Sequence, residues 1–434
     1  MKKKLSLVLS ACFIFSIVSA SGCEREQQNT SRSGNVLRVA SWDEYIDMGG
    51  EDSYYSADSK PIYEEFEVWY KEQTGEDITV EYVALQDNET MYNKIKMGDS
   101  YDLLCPSEYM AMKLKSEGKI IPYPTEFFDP NIETNYYAQN VSAYTNEIFK
   151  SVNLSEYIAG YMWGTTGFVF NPDKIDREIM KSWHCLTSKE CERKITAKDN
   201  VRDSYFMGLG MYYENELLSL DPTSEDYAST LSKKMNDTSR ETMGEVKKLL
   251  EKARKNLYGL ETDEGKTDVA MGRLDASYQW SGDAVFILDK AEENDLYLEY
   301  SIPESASNLW FDGWVMMEGA NQKAATAFVN YLSRPDNVVR NMYYIGYTSC
   351  IAGEDVYEYI SETYSAEDDD ETAVPYDLSY FFGKDHVLLV PEDQTRRQLF
   401  GQYPDTAAKN RLVVMNYFNK EENERANRMW NNIK

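Results

Sequence analysis

Apolar positions along this chain recur with two spacings, one of strands and one of helices. Val36 to Ala40 is a short apolar run that ends at a turn and predicts a first strand. Ile62, Phe66 and Trp69 stand at i, i+4 and i+7, one face of a helix, and Gly75 marks its stop. Ile78 to Val83 predicts the next strand. Asp87 and Asn88 are placed to cap a helix that carries Met91 and Ile95 on one face. Leu103 to Cys105 predicts a third strand, ended by Pro106, after which Ser107 opens a helix that Gly118 closes. This alternation implies an α/β domain with a mostly parallel sheet. Farther on, Phe168 to Phe170, Ala276 to Gln279 and Tyr297 to Ile302 predict strands. Val246, Leu249, Leu250, Ala253 and Leu257 keep helical spacing between them, and a second α/β unit follows from the combination. Gly313 to Met317 predicts another strand, then a helix runs through Ala324, Phe328 and Leu332 and halts before Pro335. No internal repeat is visible, and the acidic run Glu367 to Glu371 reads as a solvated loop.

The N-terminus follows a different pattern. Lys2, Lys3 and Lys4 precede the apolar run Leu5 to Val18, broken only by Ser6, Ser10 and Ser16. The run is short for a membrane span and has the charge-then-apolar layout of a secretory signal. Ser19, Ala20, Ser21 and Gly22 then lead to Cys23, the layout of a bacterial lipobox with Ala20 where Leu is usual. Residues 1–22 therefore read as a signal peptide and 23–34 as a flexible tether lipid-anchored through Cys23. The expectation is an exported protein, held at the outer face of the cell membrane or periplasmic, that meets the membrane through its lipid alone.

Charge narrows the partners. The formal net charge is −29, and loss of residues 1–22, with three lysines and no acid, takes it to about −32. Such a surface repels nucleic acid and anionic membrane and concentrates cations. The length favours two domains over one. Of six cysteines, Cys12 lies in the signal and Cys23 at the lipid site. Cys105, Cys185, Cys191 and Cys350 remain, and an extracytoplasmic compartment allows a local disulfide between Cys185 and Cys191. With no CxxC and only His184 and His386 in the chain, a zinc site is disfavoured, and no metal or cofactor is expected.

The chain lacks GxSxG, GxxxxGK[ST], HExxH and EF-hand spacing, so an enzyme reading has no positive support. Aromatic and acidic residues gather instead at strand–loop junctions. Trp42, Asp43, Glu44 and Tyr45 follow the first strand, and Ser107, Glu108 and Tyr109 the third. Trp280, Ser281, Gly282 and Asp283 follow Ala276 to Gln279, and Trp310, Phe311 and Asp312 precede Gly313. In open α/β sheets ligands bind beyond the carboxyl ends of strands, where such junctions converge. Each Trp taken alone reads as core and each acid as surface charge or helix cap; recurrence at four junctions weighs against that.

An ordered series of segments carries a resemblance. It comprises Ser41-Trp42-Asp43-Glu44-Tyr45, Asn88 to Lys94, Tyr101 to Tyr109, Met162 to Gly167, Trp280-Ser281-Gly282-Asp283, Trp310-Phe311-Asp312 and Ile345-Gly346-Tyr347. The series resembles the spermidine/putrescine-binding proteins of ABC importers, two-domain periplasmic binding proteins, over most of residues 35–350. Residues 48–60 look like an insertion, and the region from 351 matches less clearly.

The resemblance implies a two-lobe Venus-flytrap fold of type II. Lobe one would be 35–158 plus 311–347 and lobe two 159–310 plus 348–434, with crossings near Ala159 to Tyr161, Leu309 to Asp312 and Gly346 to Cys350. It implies a monomeric, non-enzymatic receptor that closes on a polyamine, putrescine or spermidine, and delivers it to ABC permease subunits. The binding set it implies is Trp42, Glu44, Tyr45, Ser107, Tyr109, Asp203, Trp280, Asp283, Trp310, Asp312 and Tyr347. Aromatic faces would line the methylenes, Ser107 would accept from an ammonium, and Asp312, Asp283 and Asp203 would take the ammonium ends. A neighbouring family acid falls on Asn200, or on Asp199 with a one-residue slip. The family's spermidine-end Gln has no counterpart, Val414 or Met415 standing there. A receptor of the same fold for another cationic or small organic solute is the alternative, and a surface enzyme a third reading.

Overall fold

The computed structural model describes residues 34–261 and 265–434; the signal, the lipobox and nearly all of the tether lie outside them. Residues 35–434 form one compact unit. Its strands are β1 (Val36–Trp42), β2 (Thr79–Leu85), β3 (Leu103–Leu104), β4 (Ile120–Ile121), β5 (Ile158–Phe170), β6 (Ile195–Lys198), β7 (Gly259–Glu261), β8 (Ala276–Trp280), β9 (Glu299–Ser301), β10 (Ser307–Met317), β11 (Thr348–Ser349), β12 (Val374–Asp377), β13 (Val387–Val390) and β14 (Leu412–Val414). Among the described residues twelve of them join in the order β2-β1-β3-β10-β5-β8-β6-β7, with β4, β9, β11 and β14 paired at the sides, while β12 and β13 form a separate hairpin.

The first α/β unit forms where the hydrophobic pattern puts it. The helix Ile62–Thr74 buries Ile62, Phe66 and Tyr70 and ends at Gly75, whose φ of 73° admits the left-handed turn that a side chain resists. Asp87 caps Asn88–Lys96, its carboxylate accepting from the Thr90 amide at 2.6 Å. β1 pairs in parallel with both β2 and β3, so the C-terminal ends of β1 and β3 open on the same side.

β5 and β10 run antiparallel to each other, and every residue of both is buried. They tie two halves together. At one end β10 pairs with β3; at the other β5 pairs with β8 and β9. The cores divide accordingly. One joins Leu37 to Trp163 with Leu309 to Tyr403; a second spans Phe168 to Tyr278 and takes in Val413 to Ile433; a smaller third lies around Ile287 and Tyr300. Within 350–403, expected with lobe two, Cys350, Ile360, Phe381 and Leu399 are buried in the first core, while Phe400 lies in the third and Arg396 and Arg397 pair with Glu299 and Glu292. The C-terminal helix Lys420–Asn431 lies with the second core, through Met429 and Trp430.

Cys185 and Cys191 are buried free thiols, as are Cys105 and Cys350, so the local disulfide that the spacing allows is not formed. Residues 48–60 are pinned by buried charge: Arg340 Nε lies 2.6 Å from Asp47 Oδ2, and its guanidinium also reaches Glu65 and the Lys60 carbonyl. Among the described residues no helix is long and apolar enough to cross a membrane.

Candidate ligand-binding site

The site begins where β10 carries Trp310 and Asp312 through the middle of the sheet. The register of β10 on β5 shifts between Asp312 and Gly313, a bulge of the kind that re-aims a side chain. Gly313 must be glycine, because a Cβ there would stand 2.5 Å from Ile158 and 2.9 Å from the Ala159 carbonyl. Ser107, the cap position of the helix Glu108–Ser116, bridges to Asp312 through its backbone, and its own amide and hydroxyl are held by Asn88 at 3.1 and 3.0 Å. Tyr45 comes from the turn that follows β1.

These elements surround the Asp312 carboxylate, which is 6% exposed. Its Oδ2 accepts from the Tyr45 hydroxyl at 2.7 Å and from the Trp42 indole at 3.2 Å. The Ser107 hydroxyl also faces this carboxylate and favours its charged form. Its Oδ1 is buried without a hydrogen bond, and among the described residues no Lys, Arg or His pairs with it. Burial pushes its pKa up, and Ser107, Tyr45 and Trp42 offset part of that.

Tyr347 links this carboxylate to a second one. Its ring meets Tyr45 edge-on at 5.9 Å and Trp310 at 5.5 Å, and its hydroxyl donates to Asp283 Oδ1 at 3.0 Å. Asp283 lies in the first turn of the helix Ser281–Glu292, directly after β8. Lys198 Nζ is 3.0 Å from its Oδ2 and Lys266 Nζ 2.7 Å from its Oδ1. Burial alone would raise the Asp283 pKa, but the two ammoniums outweigh burial and hold it below the usual carboxylate range.

Lys198 reaches this place through strand register. β6 lies parallel to β8 with Ile195 opposite Ala276, which sets Lys198 level with Gln279 and beside Trp280. Its ammonium sits 4.2 Å from the Trp280 ring centroid. Asp203 follows in the helix Val201–Leu218, whose Asn200 cap accepts from the Arg202 and Asp203 amides at 2.8 and 3.3 Å. Burial pushes Asp203 up to about 6 against the pull of Lys198 and Arg202, and the Trp280 side chain hydrogen-bonds with it. Arg202 turns the other way and lays its guanidinium 4.0 Å over Tyr109. Beside it Glu108 is buried and pushed up to about 8 by that burial, with Arg202 opposing and the Phe311 amide donating to it at 3.2 Å.

Residues 63–367 match the model of the bacterial extracellular solute-binding protein family. The chain belongs to that family. Among relatives of this solute-binding protein is the spermidine/putrescine-binding periplasmic protein of Salmonella typhimurium, 26% identical over 317 residues, 72% of this chain and 77% of the relative. The putrescine-binding periplasmic protein of Escherichia coli K12 is 25% identical over 288 residues, 62% of this chain and 70% of its own. A solved substrate-binding protein of a spermidine/putrescine ABC transporter from Streptococcus pneumoniae superposes with a TM-score of 0.61 at 24% identity, over 92% of this chain and 98% of that one. A Treponema pallidum lipoprotein gives 0.59 at 17% identity, over 92% and 99%. These structures share the two-lobe type II periplasmic-binding-protein fold with this chain.

In the solute-binding protein, most of the binding residues that the resemblance implies fall into two groups. Trp42, Tyr45, Ser107, Trp310 and Tyr347 gather on or next to Asp312. Trp280 and Asp203 gather with Asp283. Tyr347 joins the groups, and the Tyr109 hydroxyl donates to Glu89 at 3.2 Å at the rim. Glu44 stands apart: it is exposed, in a left-handed turn at φ 51°. Asp283, expected to take a ligand ammonium, takes those of Lys198 and Lys266 instead. The faces of Trp280 and Tyr109, expected against methylenes, are covered by Lys198 and Arg202. Asp199 is engaged elsewhere, accepting from the Trp430 indole at 3.0 Å. Sequence reasoning missed Lys198, Lys266 and Arg202. The available signal was a lysine ending a short strand just before the Asn200 cap, next to acids already singled out.

Proposed function

We propose that this solute-binding protein is the lipid-anchored receptor of an ABC importer for polyamines, and that it seats a primary ammonium of its ligand against Asp312. The observation that carries this reading is the Asp312 carboxylate itself: buried, hydrogen-bonded through one oxygen to neutral donors, with the other oxygen unpaired and, among the described residues, no cation beside it. A buried carboxylate without a counter-charge costs several kcal/mol, and an alkylammonium supplies both the charge and the missing hydrogen bond. Trp42, Tyr45, Trp310 and Tyr347 add aromatic surface around it; such faces attract an ammonium by ~0.5–2 kcal/mol each and pack against methylenes. The names of the relatives agree with this class of ligand.

On this reading residues 35–158 with 311–347 and 350–390 make most of the first lobe, and 159–310 with 412–434 make most of the second. Closure about β5 and β10 traps the ligand, and the closed form is what a permease recognises. Cys23 anchors the protein outside the membrane; a lipid-modified mature N-terminus at Cys23 is the mass-spectrometric signature, and an unmodified chain starting elsewhere contradicts the anchor. The function is tested by a thermal-shift screen with putrescine, spermidine, spermine, cadaverine, arginine and betaine, followed by small-angle scattering on any stabilising compound. The reading predicts stabilisation by an aliphatic amine and a smaller radius of gyration at saturation. Stabilisation by betaine alone, or by none of the amines, would contradict it.

A further inference from the structure

The half of the site around Asp283 already contains an ammonium, and the chain itself supplies it. Lys198 Nζ lies 3.0 Å from Asp283 Oδ2 and 4.2 Å from the Trp280 ring centroid, and its side chain is 1% exposed. A carboxylate edge and an indole face around one ammonium is the arrangement that recognises an alkylamine end. The second Asp283 oxygen is taken as well, by Lys266 at 2.7 Å and Tyr347 at 3.0 Å. Among the described residues Asp203 and Arg202, on one helix turn, and Glu261, at the end of β7, are the other charges that face this end. Asp312, one tyrosine away, has no such cation among the described residues.

We infer that Lys198 determines which amine the protein takes: it fills the place of a second ammonium, so the preferred ligand is a monocationic amine whose far end is uncharged and accepts a hydrogen bond. The inference rests on the reading of Asp312 given above. A diamine that reaches across Tyr347 brings its far ammonium beside Lys198 and Lys266, where like charges oppose it. The alternative is to expel Lys198, which pulls a buried ammonium off Asp283. An N-acylated diamine avoids both. It keeps one ammonium for Asp312 and offers a carbonyl to the Lys198 donors.

The test is calorimetric titration of the mature protein with putrescine and with N-acetylputrescine, for the wild type and for Lys198→Met, Lys198→Arg and Asp312→Asn, each checked for folding by its thermal melt. The wild type is expected to bind N-acetylputrescine about tenfold or more tightly than putrescine, Lys198→Met to shift that ratio toward putrescine by about tenfold or more, and Lys198→Arg to keep the wild-type ratio. A wild-type preference for putrescine, or a ratio unchanged in folded Lys198→Met, overturns the role of Lys198. If Asp312→Asn abolishes both titrations while the ratio ignores Lys198, the cation site stands and this inference alone fails. If Asp312→Asn leaves both unchanged, the reading of the site fails with it.

Discussion

Asp312 and Asp283 are both buried aspartates set among tryptophan and tyrosine, and Tyr347 stands between them. They differ in what the chain brings to each. Asp312 meets an indole, a phenol and a hydroxyl, all neutral, and keeps an oxygen without a partner. Asp283 meets two lysines at 3.0 and 2.7 Å. On the proposed reading one is a carboxylate open to a cation from outside, and the other is an ion-pair cluster whose counter-ions the chain supplies.

The comparison can be broken by removing one charge at a time. Asp312→Asn should weaken amine binding by about 3–5 kcal/mol, since the seated ammonium loses its counter-charge. The same variant should melt no lower than the wild type without ligand, because the lost charge was buried and unpaired; calorimetry and a thermal melt read the two effects. Asp283→Asn should do the reverse. It takes one carboxylate away from the ammoniums of Lys198 and Lys266 and should lower stability by about 3 kcal/mol in denaturant unfolding, while amine binding at Asp312 persists. Loss of binding with unchanged stability in Asp283→Asn would mean that the two aspartates have exchanged roles.

Two smaller effects sharpen the contrast. Trp280→Ala should cost at most ~0.5–2 kcal/mol of amine affinity, because its face serves Lys198 rather than the ligand; a loss as large as that of Asp312→Asn would put the ligand on Trp280. Glu108, pushed up to about 8 by burial, holds its proton in the folded state when the unfolded chain has released it. The folded state then binds more protons, so this group's contribution to stability falls as pH rises from the ordinary carboxyl range toward 8. Wild type should therefore lose melting temperature relative to Glu108→Gln between pH 5 and pH 8, as estimated from linkage to be on the order of a few degrees. A parallel pair of profiles would show that Glu108 is ionised throughout.

How much of this was legible in the sequence depends on how local each signal is. The helix Ile62–Thr74 and its Gly75 end, and the Asp87 cap, are written in a few adjacent residues and appear where the pattern puts them. β5 was visible only at Phe168 to Phe170, because all thirteen residues from Ile158 are buried and a strand covered on both faces shows no alternation. The hairpin of β12 and β13 and the docking of residues 350–390 on the first core depend on partners far along the chain, and no local pattern announced them. The aromatic and acidic junctions were legible as a recurring motif, and the structure brings most of them together. What each carboxylate meets was not. Tyr45 lies 267 positions from Asp312, and Lys198 lies 85 from Asp283. Only the register of β6 on β8 reveals that the second aspartate is already paired.

The central claim is that Asp312 seats a ligand ammonium while Asp283 keeps its lysines. A crystal structure with the most stabilising amine of the thermal-shift screen tests it most directly. The account predicts a primary amine nitrogen at about 2.7–2.9 Å from Asp312 Oδ1, with Lys198 and Lys266 still on Asp283. An amine nitrogen bound to Asp283 with Lys198 displaced, and Asp312 Oδ1 still without a partner, would contradict it.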